Sequence, residues 1–146
     1  MGDGKTKPTE HAVAAFLAAV EPPAKRADGE VLEALFRKVT GEAPRMWGPS
    51  IVGYGEYNTV YDSGRKVSCA RVGFSPRKAK HSLYIECKCG DAASDSEYEA
   101  LLGKLGKHAQ GQGGCLYVNK LADIDLGVLE QMVALGWKTS FVRYPD

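Results

Sequence analysis

The sequence is short of nearly everything that would name an activity. It contains three histidines, and no two of them form a His-Glu-x-x-His pair. It has no Gly-x-Ser-x-Gly elbow and no P-loop. Gly53-Tyr54-Gly55 stops short of a dinucleotide fingerprint. Gly111-Gln112-Gly113-Gly114 leads into a strand pattern, whereas a phosphate-cradling glycine loop leads into a helix. No cofactor is therefore expected and no catalytic residue is assigned. The chain reads as a binding protein, with an uncharacterised enzyme using His81 or His108 as a remoter alternative. Charge of one sign is missing too: 19 basic against 18 acidic residues leave a net +1. A nucleic-acid partner would ask for a basic excess, so none is expected. The longest apolar run, Ala12 to Val20, is far below the roughly 20 residues that span a bilayer, which argues against a membrane. Met1 to Pro8 has no apolar signal core. A cytoplasmic location follows, in which the four cysteines stay free thiols.

What is present is an ordinary globular composition, 44% hydrophobic and 25% charged over 146 residues, enough for one domain with its own core. Residues 1–9 read as a disordered tail and 10–146 as a single domain. A helix over Glu10 to Val20 places Val13, Phe16, Leu17 and Val20 on one face, and Pro22-Pro23 ends it. A second helix over Lys25 to Val39 buries Val31, Leu32, Leu35, Phe36 and Val39. Asp28 is a candidate cap and Gly41 the left-handed stop. Strand patterns follow at Ser50–Tyr54, Glu56–Asp62, Val67–Phe74 and Ser82–Lys88, the last two forming a hairpin over residues 75–81. A helix from Asp95 or Ser96 to Leu105 comes next, then a strand at Cys115–Asn119. A last helix starts at Asp123 or Asp125, buries Leu126, Leu129 and Val133, and stops at Gly136. Trp137 to Tyr144 fits either a short helix or an edge strand. Runs of helices and runs of strands, rather than alternating units, give an α+β fold: a mostly antiparallel sheet with two N-terminal and two C-terminal helices packed on it.

The chain is organised around Met46-Trp47-Gly48-Pro49-Ser50-Ile51-Val52-Gly53-Tyr54-Gly55. Gly53 and Gly55 share one face of a strand, and a face without side chains admits a ring, another backbone or a ligand. Tyr57, Tyr61, Phe74, Tyr84 and Tyr117 extend the aromatic set, either as core or as pocket walls. The hairpin loop Ser75-Pro76-Arg77-Lys78-Ala79-Lys80-His81 is basic. It is a solvated tip or, with Lys104, Lys107, His108 and Lys120 nearby, a seat for a carboxylate or phosphate. The expected ligand site is thus Trp47, Gly53, Tyr54, Gly55, Ser75, Arg77 and Lys78, taking a small anionic ligand, with a protein partner as the other occupant. Cys87 and Cys89 share a strand face, and a 67–74/82–89 hairpin brings Cys69 near them. Three thiolates can hold zinc or Cu(I), although a closed zinc site takes four ligands, and free cysteine is also a small buried hydrophobe.

Several of these segments, in this order, resemble the YdhG-like domain, a bacterial domain of unknown function. They are residues 46–55, Val-Gly-Phe-Ser-Pro-Arg-Lys at 72–78, Leu-Tyr-Ile at 83–85, and 104–125 with its Gly-Gly-Cys-Leu-Tyr-Val-Asn-Lys-Leu-Ala-Asp-Ile-Asp. The resemblance spans about residues 10 to 135. It implies a small α+β domain, and, because some members are described as frataxin-like iron chaperones, a metal-handling role as the alternative function. Frataxins carry an acidic ridge on a helix. Here the first helix has only Glu10 and Glu21, and the second mixes Asp28, Glu30 and Glu33 with Lys25, Arg26, Arg37 and Lys38.

Overall fold

The computed structural model describes residues 8–47, 50–60, 62–77, 79–85, 92–111 and 115–143. The first helix, α1, runs Pro8–Ala18 and buries Val13, Leu17 and, just past its end, Val20. Pro22 and Pro23 then start α2 (Pro23–Thr40), because a proline ring preset at helical φ suits the first turn, whose N–H groups have no intrahelical acceptor. Helix α2 buries Leu32, Leu35 and Phe36, while Val31 stays 43% exposed, just outside the stripe. Gly41, at φ +71°, closes the helix by donating its N–H to the Arg37 carbonyl at 2.8 Å.

Among the described residues, eight strands follow or interleave with the remaining helices: β1 (Arg45–Met46), β2 (Val52–Tyr54), β3 (Tyr57–Val60), β4 (Lys66–Cys69), β5 (Val72–Pro76), β6 (His81–Tyr84), β7 (Ala109–Gln110) and β8 (Cys115–Val118). Six form an antiparallel sheet in the order β1-β2-β5-β6-β8-β7. Helices α3 (Ala92–Leu105) and α4 (Leu126–Arg143) complete the fold, α3 packing on α4. The architecture is α+β, as the order of patterns implied.

One face of the sheet carries the core. Val52, Tyr54, Phe74, Leu83 and Leu116 point from it toward α2 and α4, meeting Phe36, Leu129, Met132 and Val133. Phe36, Tyr54 and Phe74 pack ring on ring, with centroids 5.2 to 6.4 Å apart. Asp125 caps α4, accepting from Gly127 N at 2.8 Å and Val128 N at 3.1 Å. That helix does not stop at Gly136 but continues to Arg143, so Trp137 to Arg143 is helical. Gly136 serves packing rather than termination. A Cβ there would run into the Ile85 carbonyl, so the missing side chain lets α4 cross tight against the end of β6. Leu126, expected inside, stands 37% exposed.

The stretch expected as one strand at Val67–Phe74 is two strands with a bend between them. Pairing runs Val52↔Phe74, Gly53↔Gly73 and Tyr54↔Val72, skips Gly55-Glu56 and Ala70-Arg71, then resumes in step from Tyr57↔Cys69 to Val60↔Lys66. The four strands are therefore one long hairpin, bent in the middle, whose outer half forms a separate two-stranded arm. The bend has identifiable causes. Gly55 takes φ +73°, which residues with a Cβ disfavour, and the Trp137 ring fills the space where its Cβ would be. Arg71 donates from Nη1 to Ser140 O at 3.0 Å and stacks on Phe141 at 3.8 Å. The last turns of α4 thus hold the root of the arm.

Candidate ligand-binding site

Directly paired residues share a sheet face. Gly53, Gly73, Tyr84 and Cys115 therefore form one lateral row on the face away from α2. Two of the four have no side chain. Trp47 N donates to Ile51 O at 2.8 Å, and the indole lies over Gly53, where any Cβ would strike the ring. Arg45 covers one face of the indole, 4.5 Å from its centre, and is held by Glu56 at 3.4 Å.

The result is a slot. Trp47 forms one wall and Tyr84 the other, about two strand spacings or 10 Å apart, with Gly73 as the floor between them. Ile51, Ser68, Cys69 and Ala70 close the sides, and the cavity holds about 230 Å³. Arg45, on the indole, does not line the cavity. The floor must stay bare, because a Cβ on Gly73 would lie 2.6 Å from the Val52 carbonyl oxygen. The Trp47 Nε1–H is buried and has no hydrogen-bond partner among the described residues.

Trp47 and Gly53 are thus brought together, as the sequence implied, but the rest of the expected pocket is not assembled around them. Tyr54 follows Gly53 on the same strand, so its side chain points to the opposite face and is fully buried against Phe36. Its hydroxyl donates toward Glu33, 3.2 Å from Oε2 and 3.3 Å from the backbone oxygen. Burial, reinforced by the Glu33 charge, pushes the Tyr54 phenol far above its usual range, so it remains a neutral donor. Gly55 lies under Trp137, not beside Trp47. Ser75 is buried in β5 and donates its hydroxyl to Ser50 O at 2.6 Å. Arg77 is exposed in the β5–β6 turn, where its N–H reaches Lys80 O at 3.1 Å, and Lys78 lies outside the described residues.

The basic loop is smaller than its sequence implied. His81 belongs to β6 and is buried, paired with Pro76 across the hairpin. Its Nε2–H donates to Asp28 Oδ2 at 3.2 Å, and the same oxygen accepts from Leu121 N at 3.0 Å. Asp28 is therefore no helix cap; it ties α2 to β6 and to the short 3-10 turn at Leu121–Asp123. Burial lowers the His81 pKa more than Asp28 restores it, and Nδ1 finds no partner among the described residues, which suits the neutral ring. Such a histidine is structural and sits on the core side, remote from the slot. His108 Nδ1 lies 2.7 Å from Gly106 O.

Of the three expected metal ligands, Cys87 and Cys89 lie outside the described residues. Cys69 is in the arm, opposite Tyr57, because the bend at Ala70-Arg71 takes it off the strand that pairs with β6. It lines the slot instead. Among the described residues no three His, Cys, Asp or Glu side chains stand close enough to hold a metal. No helix among them is long and apolar enough to cross a membrane. The site residues absent from the expected pocket are Ile51, Ser68, Ala70, Val72, Gly73 and Tyr84, the last read only as one of the aromatic set. Gly73 carried a signal, since it lies one residue from the ring of Phe74 on a strand and so marks a bare spot on the opposite face.

No family model, curated protein or solved structure matches the chain.

Proposed function

We propose that this protein is a small non-enzymatic binding domain of the YdhG-like kind, whose ligand, or the side chain of a partner, places a flat ring between Trp47 and Tyr84. The observation that carries this reading is the glycine-floored slot with an aromatic wall on each side. With the walls about 10 Å apart, a ring that enters stacks on one of them at a time, and that stack contributes about 0.5–1.5 kcal/mol beyond the area it buries. A cavity of about 150 Å³ admits benzene, so 230 Å³, open to solvent, has room for a fused bicyclic ring. The lining is almost wholly apolar, so the ring itself is uncharged. Burying about 100 Å² of apolar ring surface adds about 2.5 kcal/mol. Against the cost of association the sum supports binding of the bare ring in the millimolar to high-micromolar range.

Titration with indole, followed by amide and indole N–H shifts in two-dimensional NMR, tests the reading. The expected result is saturable shifts of the Trp47 indole N–H and the Gly73 amide, lost in Tyr84→Ala and Trp47→Ala. Both variants remove half-buried side chains, so each must first show a cooperative melt. Saturation that survives both substitutions, or no saturation in the wild type, refutes the slot. The metal-handling alternative rests on Cys87 and Cys89, since Cys69 lies in the arm and lines the slot. It requires that Zn(II) or Fe(II) raise the melting temperature and that Cys87→Ser abolish the rise.

A further inference from the structure

The slot has a neighbour on the arm. Ser68 lines the slot and also lines a second cavity of about 380 Å³ that runs along the arm past Asn58, Thr59, Val60 and Lys66. From these two cavities, and resting on the slot reading above, we infer that the ligand is bipartite: a flat ring in the slot and a short anionic tail laid along the arm, received by Lys66.

The polar groups of the arm cavity are biased toward donors. The Ser68 hydroxyl donates to Asn58 Oδ1 at 2.7 Å. That bond uses the amide's acceptor and the serine's only proton, and it leaves the Asn58 NH₂ as the free end. Lys66 adds an ammonium, and no ion pair among the described residues involves it. Its cross-strand neighbour is Val60, which is 59% exposed and brings no countercharge. The tip of the arm adds one charge of each sign, Asp62 and Arg65.

Distance fits as well. Lys66 and Ser68 lie two residues apart on one strand, so they share a face and stand about 7 Å apart along it. A tail of two or three carbons leaving the slot past Ser68 brings a carboxylate into reach of the Asn58 amide and the Lys66 ammonium. An uncharged tail would gain nothing from Lys66, and a cationic one would be repelled. The site thus recovers selectivity for an anion, through the arm and not through the Arg77 turn.

The test compares indole with indole-3-propionate on the wild type and on Lys66→Gln, using the same NMR titration at low salt. Lys66 is exposed and its substitution leaves the slot walls intact, so the fold is retained. The expected result is that the wild type binds the acid about two- to fivefold more tightly than indole, as an exposed charge pair allows. Lys66→Gln should erase that preference and leave indole affinity unchanged. Added salt should shrink the preference in the wild type alone. If indole binds and the acid binds equally well, or if the preference survives Lys66→Gln, the tail assignment is wrong while the slot stands. If neither probe saturates, slot and tail fall together.

Discussion

Two glycines in helices should respond to the same substitution with opposite sign. Gly103 lies in α3, exposed, with nothing within 4 Å of the place a Cβ would take. Gly103→Ala therefore meets no neighbour, and the lower backbone entropy of the unfolded chain should raise stability by about 0.5–1 kcal/mol. Gly136 has the same propensity to gain. Its Cβ, however, would overlap the Ile85 carbonyl oxygen, and a backbone atom at the end of a paired strand cannot rotate away as a side-chain tip would. Helix α4 must then lift off the end of β6. That loosens Ile85, Met132 and Val133, all at most 1% exposed. Forcing extra volume into a packed contact costs about 1–3 kcal/mol, so Gly136→Ala should lose about 1–2 kcal/mol after the helical gain is subtracted. Urea denaturation of the wild type and both variants is the assay. The midpoints should move apart in opposite directions with unchanged slopes, and the melting temperatures by roughly 3 °C per kcal/mol for a domain of this size. If Gly136→Ala raises the midpoint as Gly103→Ala does, the close crossing of α4 on β6 is wrong, and Gly136 is only a poor helix former.

Other predictions concern the Asp28–His81 tie. The folded-state pKa of His81 is lowered, while the unfolded imidazole titrates near 6.5. Above that pH both states are neutral and His81 adds no pH dependence. As pH falls below it the unfolded chain takes up the proton first, so stability declines by at most about 1.4 kcal/mol per pH unit until the folded-state pKa is passed. His81→Gln should flatten this decline between about pH 7 and 5 in denaturation midpoints; an unchanged slope would assign the acid sensitivity to other groups. Asp28→Ala leaves the Leu121 N–H and the His81 Nε2–H without their acceptor and should cost about 2–3 kcal/mol by urea titration, whereas a loss under about 0.5 kcal/mol would mean that water replaces the carboxylate freely.

The parts of this fold that could be read from the sequence are those governed by local periodicity. The stripe of α2 apart from the exposed Val31, the Gly41 stop and the buried face of α3 follow from spacing alone, and long-range packing agrees with them. Gly136 misled because a glycine after an apolar helical run reads as a stop, and only the neighbouring strand reveals that it is a contact. The 67–74 stretch misled for a related reason: nothing in Cys69-Ala70-Arg71 breaks a strand by itself. The break is made by Arg71 meeting Ser140 and Phe141, and by Trp137 meeting Gly55, all contacts distant in sequence. The placement of Tyr54 was within reach. Strand alternation already puts it opposite the bare face of Gly53, so one pocket cannot contain both the Tyr54 ring and a ligand seated on that glycine.

The bend explains why a chain with no catalytic motif still has a shaped surface. A straight hairpin would leave the helix-free face flat, and a flat face offers a ring contact on one side only. Bending the hairpin at Gly55 and Arg71 sets the arm apart from the sheet, which creates a corner where Gly73 and Ala70 leave room beside the indole that covers Gly53. Trp47 and Tyr84 fill only the two sides of that corner. The root of the arm is held by the last two turns of α4, through Trp137, Ser140 and Phe141. Those turns are thus part of the site without touching it. Phe141→Ala removes the ring under Arg71 and half of the Trp137 stack, and it should loosen the arm before it loosens the core. Faster hydrogen exchange confined to the β3–β4 amides, with weaker indole binding and a near-native melt, is the expected signature. Loss of the whole domain's protection would instead make the end of α4 an ordinary part of the core.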